Sequence, residues 1–535
     1  MTSELRKEQS IYSALKSSAE YYVDKTALIY FNKSFTYKHL LSRINQFAFA
    51  LKENGIEKDD IVTICLPNIP DAIYLLYAVN QIGAIANIVH PLFSYEQMKE
   101  NLHTTKSKIL FALDTTYYDF LPLTKEGIKV YFSSPVTELN IFKRIGYKIS
   151  KKPARIPIEL TLHGFYHSPK LETFDDRYLS DAIYLHSGGT TNKPKIIALS
   201  SFAINALCYQ GRWIVNRNSY EGIGMLATLP MFHGFGLAIG IHIALFDGGY
   251  DVLMPKFSAK ETINYIKKNK VHILIGVPTL YEALLNKEEF DSPSLKNLLI
   301  SWVGGDFIPR SLIDRFNNLM IKNNAKGRLR AGYGLTETVN VCAVNSLTHF
   351  KEDSDGINLP NVKFLIVDDK HKRAKPNVDG ELLVSGETIM NGYRFGDTKD
   401  SFILVNNEKY IPTGDICSID EDGFLYFKSR KKNVTKVSGI NIFPNQIEQV
   451  VSDFDYVWEV SATPIESKRF GHIIKLFVVL NKKMDIDKDK AKEEISSLIV
   501  SKLGIYAKPV DIIFLEKMPH TILGKIDQNK LKEIV

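Results

Sequence analysis

The chain has 535 residues, of which 45% are hydrophobic and 24% are charged. This composition excludes disordered and fibrous proteins, and the length predicts two or more domains. The formal net charge of +7 is modest for this size and comes without a nucleic-acid-binding signature, whereas small anionic ligands remain compatible with it.

The cysteine pattern and the N-terminus predict the compartment. Cys65, Cys208, Cys342 and Cys417 are scattered, without C-x-x-C or metal-type spacing. A disulfide framework is therefore not expected, and a reducing cytosol is the simplest setting. The segment Met1–Lys7 is polar and lacks the hydrophobic core of a signal peptide, so we expect a cytoplasmic protein.

Through most of the chain, apolar runs of strand length alternate with longer helix-like patterns. Asp60–Leu66 is followed by the periodic segment Asp71–Gln81, and Val271–Val277 is followed by Thr279–Asn286. This alternation predicts α/β layers with parallel sheets.

A basic segment with interleaved apolar residues runs from Lys143 to Arg155. It could lie on an anionic membrane surface as an amphipathic element, or it could be a solvated surface insertion. Gly146 and Pro153 weaken any helix there, so the sequence favours the insertion over peripheral membrane contact.

The segment His186–Lys195 has the composition of a phosphate-binding loop. It follows the short apolar strand Ala182–Leu185 and combines two glycines, three hydroxyl groups and two lysines. Glycines let backbone N–H groups approach an anion, hydroxyl groups add donors and lysine adds charge. The Walker A spacing is absent, so the loop is of another type.

The segment Gly222–Phe246 contains no Asp, Glu, Lys or Arg. Pro230, His233 and His242 interrupt it, and its uninterrupted apolar part is too short to span a membrane. We therefore expect a buried strand, turn and helix.

Three further motifs follow along the chain. Ala331–Thr338 offers an aromatic ring, a hydroxyl group and a carboxylate in one tight turn, which suits a nucleotide with its metal ion. Pro412–Asp415 sets an acid at the start of a strand, where two oxygens can accept from ribose hydroxyl groups. Pro519–Asp527 carries a lysine after a Leu-Gly turn, and this lysine could point into a cleft.

The texture of the chain changes near its end. Asp415–Ile419 and Phe424–Lys428 are strand-like and flank a hairpin turn at Asp420–Gly423. The basic run Ser429–Lys432 comes next, and a smaller α+β segment follows it to Val535. A boundary in such a charged segment predicts a large domain of residues 1–431 and a small domain of residues 432–535.

Together these motifs, in this order, closely resemble the adenylate-forming (AMP-binding) superfamily, which includes the acyl-CoA synthetases. The resemblance extends from about Ser34 to the end of the chain. It also includes Pro230–Gly234, Val303–Asp306 and Ser429–Lys432 with Gly439 and Glu448. The resemblance implies a large N-terminal domain of layered parallel sheets with helices and a small mobile α+β C-terminal domain.

The resemblance also implies a reaction that needs ATP, Mg²⁺ and coenzyme A. A carboxylate is a poor acyl donor, and attack on the α-phosphate of ATP converts it to an acyl-adenylate with AMP as leaving group for a thiol. Cations must bridge the like charges that this step brings together. By similarity, the catalytic residues are Lys525, Thr336, Glu337 and His233.

Individual roles follow from the same resemblance. Thr336 would contact the α-phosphate, Lys525 would bridge it to the substrate carboxylate, and Thr190 and Glu337 would hold Mg²⁺. The other residues implied in binding ATP or coenzyme A are Ser187, Gly189, Thr190, Thr191 and Lys195 at the β- and γ-phosphates, Tyr333, Gly305, Asp306 and Phe307 around adenine, and Asp415 and Arg430 at the ribose.

Family members rotate the small domain between the two half-reactions, with a hinge residue that matches Lys432. Lys436 and Asn441 would face the nucleotide in the adenylating pose, and Ser438 and Gly439 would face the thiol entrance in the second pose. Such a rotation lets one cleft assemble two catalytic sets in turn.

The chain departs from the family pattern at four positions. Asn192 and Ile196 stand where the phosphate loop usually has glycine, Ser429 replaces a common glycine, and Asn433 replaces a common acid. Asparagine tolerates a positive φ, whereas Ile196 suggests an extended strand. None of these changes removes a charged catalytic group, so activity is still expected.

The substrate is predicted from the residue after Phe232. Amino-acid-activating relatives commonly have Asp at this position, whereas this chain has His233, as acyl- and aryl-CoA synthetases do. The apolar side chains nearby could line an acyl pocket or simply pack in the core. They are Phe232, Phe235, Leu237, Trp302, Val303, Val339 and Val341. We expect a fatty or other apolar acid and coenzyme A as acceptor, with a carrier-protein phosphopantetheine as the alternative.

Overall fold

The structure is a computed structural model. It describes residues 3–151, 153–166, 171–187, 194–305, 308–368, 370–396, 401–431, 434–437, 440–467, 471–481, 484, 486–520 and 526–534.

One sheet is built mostly from parallel strands of the first third of the chain. Its inner strands are buried on both faces, which explains why they are continuous apolar runs rather than alternating ones. The predicted strand at Asp60–Leu66 is Ile61–Cys65, and the helix Pro70–Gln81 follows it. In spatial order the strands are Gly392–Arg394, Ile196–Ser200, Asp181–His186, Ile85–Ile88, Ile61–Cys65, Ile109–Leu113 and Lys129–Ser133.

The largest sheet joins a parallel half to an antiparallel half. In the parallel half, the strand Ile300–Val303 lies between Ile273–Gly276 and Leu329–Tyr333 and pairs with both. The antiparallel half contains the predicted hairpin. In spatial order the strands are Val362–Val367, Gly380–Gly386, Glu408–Ile419, Phe424–Arg430, Gly356–Asn358, Ala343–Val344, Leu329–Tyr333, Ile300–Val303, Ile273–Gly276, Gly224–Ala227, Tyr250–Leu253, Thr26–Tyr30 and Lys33–Thr36, with Ile403–Val405 on Glu408–Ile419.

A third, smaller sheet is formed after residue 434. Its strands are Ile440–Ile442, Thr435–Val437, Gly471–Leu480 and Val457–Ser467, with Asp511–Leu515 parallel to Gly471–Leu480. The helices Pro444–Ser452 and Lys488–Leu503 contribute Ile447, Ile495 and Ile499 to a core of its own. The predicted α/β fold with a large N-terminal domain and a small C-terminal domain is thus confirmed. The predicted boundary at Lys432 lies outside the described residues, and the mobility of the small domain stays a prediction.

Helices cover the faces of these sheets. The other α-helices are Ile11–Tyr21, Tyr37–Glu53, Tyr95–Thr105, Tyr117–Phe120, Ile141–Lys151, Leu162–Phe165, Ser201–Ile214, Ile243–Phe246, Ala259–Lys267, Pro278–Leu285, Arg310–Lys322 and Gln528–Glu533. A π-helix spans Phe235–His242. The 3₁₀ turns are Ser3–Glu8, Asp114–Thr116, Leu121–Glu126, Ile158–Leu160, Glu288–Phe290, Pro293–Asn297, Thr336–Thr338 and Ile505–Ala507.

The uncharged segment Gly222–Phe246 forms the predicted buried strand, turn and helix. The strand is Gly224–Ala227, and the helical part runs from Phe235 to Phe246. Within the described part of the chain, no helix is long and apolar enough to cross a membrane.

A helix forms in the basic segment despite Gly146. Residues Ile141–Lys151 form an α-helix, and Asn140 caps its first turn by accepting a hydrogen bond from the backbone N–H of Lys143 at 3.1 Å. One glycine costs only about 1 kcal/mol relative to alanine, and Pro153 lies beyond the last helical residue. The cap and the long side chains around it therefore suffice for a helix.

Candidate active site

A cleft with a volume of about 1960 Å³ runs between the carboxyl ends of the large sheet and the small domain. Small-domain residues such as Glu459, His472 and His520 line it together with the motifs of the large domain. The predicted site residues on its wall are Ser187, His233, Gly305, Tyr333, Thr336, Glu337, Asp415 and Arg430. Side chains from distant parts of the sequence are thus brought to one concave surface.

Several predicted site residues lie outside the described residues, so their roles stay predictions. They are Gly189, Thr190, Thr191, Asp306, Phe307, Ser438, Gly439 and Lys525, together with the hinge residue Lys432. Lys436 and Asn441 face each other in the register of two antiparallel strands, Thr435–Val437 and Ile440–Ile442. His520 and Ile526 pair as a β-bridge and line the cleft, and Lys525 lies between them in the sequence.

The phosphate loop has a closed base. The backbone N–H of Ser187 donates to the carbonyl of Lys195 at 2.9 Å, and the N–H of Lys195 donates to Oγ of Ser187 at 2.9 Å. His186 pairs with Ile196 in the antiparallel register, and Ile196 begins the strand Ile196–Ser200. The extended strand that Ile196 suggests is therefore found. The predicted phosphate loop connects two antiparallel strands and does not lead directly into a helix.

The turn after Leu329–Tyr333 sets Thr336 and Glu337 on the wall of the cleft. Gly334 has to be glycine, because a Cβ there would lie 2.3 Å from the backbone oxygen of Asn340. A 3₁₀ turn over Thr336–Thr338 follows, and Val339 then adopts a left-handed φ of 53°. A β-branched residue is rarely found in this conformation, which costs about 1–3 kcal/mol. Residues with such strained backbones cluster at functional sites.

Glu337 is held by a residue that no sequence motif indicated. The hydroxyl of Tyr393 donates to Oε1 of Glu337 at 2.9 Å, and Lys195 Nζ lies 4.3 Å from the centroid of the Tyr393 ring. Tyr393 belongs to the short strand Gly392–Arg394, which pairs with Ile196–Ser200. Tyr393 thus joins the base of the predicted phosphate loop to the Glu337 carboxylate. Sequence periodicity does not reveal the strand pairing that brings Tyr393 to this place, so the sequence could not identify Tyr393 as a site residue.

The donor set at Glu337 fits a magnesium ion shared with phosphates. No group of three or more His, Cys, Asp or Glu side chains arranged for a metal occurs among the described residues. Mg²⁺ is usually bound by one or two carboxylates together with waters and substrate phosphates rather than by an all-protein cage. A single carboxylate that is linked through Tyr393 to the base of the predicted phosphate loop is compatible with that chemistry.

Asp415 is buried at the head of the hairpin, with only 1% of its surface exposed. Tyr333 donates to its Oδ2 at 2.5 Å, and Nε of Arg430 lies 3.0 Å from its Oδ1. Burial raises the pKa of Asp415, and the Arg430 charge and the Tyr333 hydrogen bond oppose this rise. Oδ1 is ion-paired with Arg430 but accepts no hydrogen bond from the described residues, so it retains acceptor capacity.

Tyr333 lines the same cleft with its aromatic ring, and Gly305 lines it with backbone that no side chain covers. The Tyr333 ring stacks on Phe427 with the ring centroids 6.2 Å apart and the planes at 29°. Gly305 has a φ of 82°, and a Cβ there would meet only Val277, at 3.7 Å. These surfaces suit an aromatic base, although stacking of adenine on Tyr333 stays a prediction.

An apolar cavity of about 60 Å³ opens beside this turn. Four of the side chains predicted for an acyl pocket line it: Phe235, Trp302, Val303 and Val341. The cavity and the cleft share part of their wall, so the two are direct neighbours. The shared residues are Phe235, Gly305, Gly332, Gly334 and Asn340.

The other three predicted acyl-pocket residues lie elsewhere. Phe232 lines the cleft, where its ring is 4.6 Å from that of His233 and 4.4 Å from that of His90, measured between centroids. Leu237 and Val339 are fully buried in the main core and line neither space. For these two, core packing was the correct alternative.

The chain matches known families over most of its length. Residues 15–394 match the family described as AMP-binding enzyme, and residues 446–525 match the AMP-binding enzyme C-terminal domain. The long-chain-fatty-acid–CoA ligase of Bacillus subtilis (strain 168) is 27% identical over 542 residues, which cover 98% of this chain and 94% of the relative.

Solved structures share the fold. The anthranilate CoA ligase AuaEII in complex with anthranoyl-AMP superposes with a TM-score of 0.82 at 19% identity, covering 98% of this chain and 97% of the other. ATP-bound MatB from Rhodopseudomonas palustris gives a TM-score of 0.82 at 20% identity, with 98% of each chain covered. The chain therefore belongs to the AMP-binding enzyme family and is an adenylate-forming, acyl-CoA synthetase-like enzyme, which confirms the expected acid–thiol ligase class.

Proposed function

We propose that the protein activates an apolar carboxylic acid with ATP and transfers the acyl group to coenzyme A, with release of AMP and pyrophosphate. The observation that carries this proposal is the apolar cavity that shares a wall with the cleft that Thr336 and Glu337 line. The name of the Bacillus subtilis relative, a long-chain-fatty-acid–CoA ligase, supports a fatty acid. The anthranilate ligase among the structural neighbours makes aryl acids the class to test beside it.

The first half-reaction joins two anions. A carboxylate oxygen of the acid attacks the α-phosphorus of ATP, the bond to the bridging oxygen breaks, and pyrophosphate leaves. Thr336 would donate to the α-phosphate, and Lys195 would contribute charge beside the phosphate loop. The Tyr393 hydrogen bond would keep the Glu337 carboxylate aimed at the phosphates. Mg²⁺, held by Glu337 and by Thr190, would neutralise phosphate charge.

Asp415 would fix the nucleotide by its ribose. Its Oδ1 retains acceptor capacity, and Tyr333 and Arg430 hold the carboxylate in place before ATP binds. Arg430 is half-exposed at the edge of the cleft, where it would reach the same hydroxyl groups. A carboxylate suits a vicinal diol, because each of its two oxygens has two lone pairs and can accept from a ribose hydroxyl group in addition to its protein partner.

The small domain would supply the groups that change between the two half-reactions. Lys525 would stabilise charge as the carboxylate approaches the α-phosphate, and the cleft-lining positions of His520 and Ile526 support this role. Rotation about Lys432 would then bring Ser438 and Gly439 to the entrance for the thiol. The coenzyme A sulfur would attack the acyl carbon, and AMP would leave.

Carboxylate-dependent ATP–pyrophosphate exchange tests the first half-reaction. The assay covers straight-chain fatty acids, aryl acids and amino acids, and it is followed by thioester formation with coenzyme A or with a phosphopantetheinylated carrier protein. We expect exchange with apolar acids and thioester formation with coenzyme A. Absence of exchange with every acid would contradict the enzyme proposal, and thioester formation with the carrier protein alone would assign the acceptor to it.

Lys525→Ala separates the two half-reactions. We expect it to abolish most pyrophosphate exchange but to leave thioester formation from supplied acyl-adenylate largely intact. Lys530→Ala, a nearby exposed lysine on the C-terminal helix Gln528–Glu533, is the matched control and should retain both. Equal loss of both half-reactions in Lys525→Ala would argue against the two-pose mechanism.

A further inference from the structure

The helix Ile141–Lys151, hereafter the basic helix, turns its apolar side toward solvent. Ile141, Phe142, Ile145 and Ile149 are 60%, 81%, 48% and 70% exposed. At roughly 100° per residue these four side chains fall within an arc of about 100°. A surface helix ordinarily packs such a stripe on the core, yet no residue of the basic helix is buried.

The opposite side of the basic helix is attached to the protein. Lys143 Nζ donates to the backbone oxygen of Phe31 at 2.8 Å and lies 4.8 Å from the centroid of the Phe31 ring. The hydroxyl of Tyr147 donates to Oδ1 of Asp114 at 2.5 Å. Lys143 and Tyr147 project roughly opposite to the apolar arc. These anchors therefore hold the apolar stripe outward.

Cations lie along one edge of the outward stripe. Arg144 and Lys148 lie beside the apolar arc, and Lys151 follows on the same flank. All three residues are exposed, and none of their side chains forms an ion pair or hydrogen bond with the residues that the structure describes. The basic helix thus offers an apolar strip edged by available positive charge.

We propose that the basic helix docks on the surface of an anionic lipid bilayer, with Ile141, Phe142, Ile145 and Ile149 inserted at headgroup depth. An apolar strip edged by Lys and Arg complements acyl chains beneath anionic headgroups. A second copy of the chain is a poor occupant, because it would bring the same unpaired cations to the contact. Eleven residues are too short to span a bilayer, so the helix lies in the plane of the interface.

This docking is reversible and sensitive to salt. One short helix buries little apolar surface, and its electrostatic attraction to anionic lipid is screened over about 10 Å at 0.1 M salt. The proposal rests on the orientation of the basic helix and is independent of which acid the enzyme activates.

Vesicle co-sedimentation of the full chain tests the proposal. The probes are phosphatidylcholine vesicles with and without phosphatidylglycerol, at low and at high salt. We expect the wild-type protein to bind the anionic vesicles and to lose that binding with added salt. Failure to bind anionic vesicles at low salt would overturn the proposal.

Paired variants assign the binding to the basic helix. Phe142→Asp combined with Ile145→Asp should lower vesicle affinity at least about tenfold, and Arg144→Gln combined with Lys148→Gln about 30-fold on anionic vesicles. The apolar control is Leu404→Asp, which alters a side chain that is 68% exposed on the strand Ile403–Val405, outside the basic helix. The charge control is Lys267→Gln with Lys268→Gln at the end of the helix Ala259–Lys267.

Each variant is also tested for thermal unfolding and for pyrophosphate exchange with a water-soluble acid, to establish that it is folded. Binding by the Phe142 and Ile145 variant equal to that of the wild type, or equal loss in the controls, would overturn the assignment to the basic helix. Self-association that this variant abolishes, without vesicle binding by the wild type, would instead assign the stripe to a second copy.

Discussion

The hydroxyl of Tyr333 donates a hydrogen bond of 2.5 Å to Oδ2 of Asp415. This bond joins the end of the strand Leu329–Tyr333 to the strand Glu408–Ile419, two elements that lie far apart in the sequence. The ring that we expect to stack on adenine and the carboxylate that we expect to bind ribose therefore position each other. Their spacing is set by the fold before any nucleotide binds.

The ribose role of Asp415 predicts a specific loss of discrimination. We expect the wild-type enzyme to use 2′-deoxy-ATP and 3′-deoxy-ATP less well than ATP, because Asp415 loses a hydrogen bond to one hydroxyl group. Asp415→Ala should raise the KM for ATP by roughly 10-fold or more and should largely remove the difference between ATP and the deoxy analogues. The measurement is kcat/KM for the three nucleotides in pyrophosphate exchange.

The exposed hairpin residue Asp422 provides the control for this experiment. Its carboxylate pairs with Lys351 at 2.7 Å, away from Tyr333. Asp422→Ala should keep the wild-type preference for ATP. Retention of full discrimination against the deoxy analogues by Asp415→Ala would show that another group binds the ribose.

Tyr393 predicts a change in metal requirement. Tyr393→Phe removes the donor to Oε1 of Glu337 but keeps the ring beside Lys195. Partners that orient a metal-binding carboxylate typically affect metal affinity by about 10- to 100-fold. We expect the Mg²⁺ concentration that gives half-maximal exchange to rise about tenfold, with a smaller effect at saturating Mg²⁺.

Glu337→Gln should lose most exchange at any Mg²⁺ concentration, since the ligand itself is changed. Tyr410→Phe is the control, because Tyr410 hydrogen-bonds Glu408 on the same strand and is not part of the cleft wall. An unchanged Mg²⁺ requirement in Tyr393→Phe would remove Tyr393 from any positioning role.

Features that local chemistry determines could be predicted from the sequence. The hairpin around Asp420–Gly423 follows from its turn residues, and the strand and helix of Gly222–Phe246 follow from length and hydrophobicity. The turn at Gly334 could be predicted because a close backbone approach requires glycine. The turn before Asp415 could be predicted because the start of a strand favours particular residue types. Each of these depends on residues near one another in the chain.

Features that depend on distant packing could not be predicted. The Tyr393–Glu337 hydrogen bond joins positions 56 residues apart through the pairing of two short strands. The orientation of the basic helix depends on Lys143 reaching the backbone of Phe31, whereas its periodicity alone permits either face to pack. Likewise, both valines belong to the core, and periodicity could not predict that Val341 lines the cavity whereas Val339 does not.

The apolar cavity predicts how chain-length preference can be changed. Met225 lines the cavity but not the cleft, so Met225→Ala should lengthen the space available to the acyl group. We expect the preferred straight-chain acid to become longer, with kcat/KM for the longer acids rising about fourfold per additional methylene that is accommodated. The measurement is the ratio of kcat/KM values across a series of straight-chain acids.

Loss of a buried methionine also destabilises the protein, by about 2–5 kcal/mol. Met320→Ala controls for this effect, because Met320 is equally buried in another core cluster and is not one of the residues that line the cavity. It should lower thermal stability while leaving the order of preferred acids unchanged. The same shift in both variants would mean that the cavity does not receive the acyl chain.

Asp71 predicts a pH dependence of stability that is unrelated to catalysis. Burial raises its pKa from 3.8 to about 6, while a hydrogen bond from Ser133 at 2.7 Å and the Arg43 charge act in the opposite direction and Glu138 adds to the rise. Between these two pH values the folded protein binds the proton and the unfolded chain does not. Stability from this group is therefore fully present below pH 3.8 and is lost as the pH rises through about 6.

Asp71→Asn removes this titration but keeps an acceptor for Ser133. A pKa difference of this size corresponds to about 3 kcal/mol, so the free energy of unfolding of the variant relative to the wild type should increase by up to about 3 kcal/mol between pH 4 and pH 7. Denaturant unfolding at a series of pH values measures this difference, and the exposed carboxyl of Asp119 provides the control variant Asp119→Asn. Parallel stability curves for the wild type and Asp71→Asn would show that the buried carboxyl titrates near its ordinary pKa, because a group with equal pKa values in the folded and unfolded states contributes no slope.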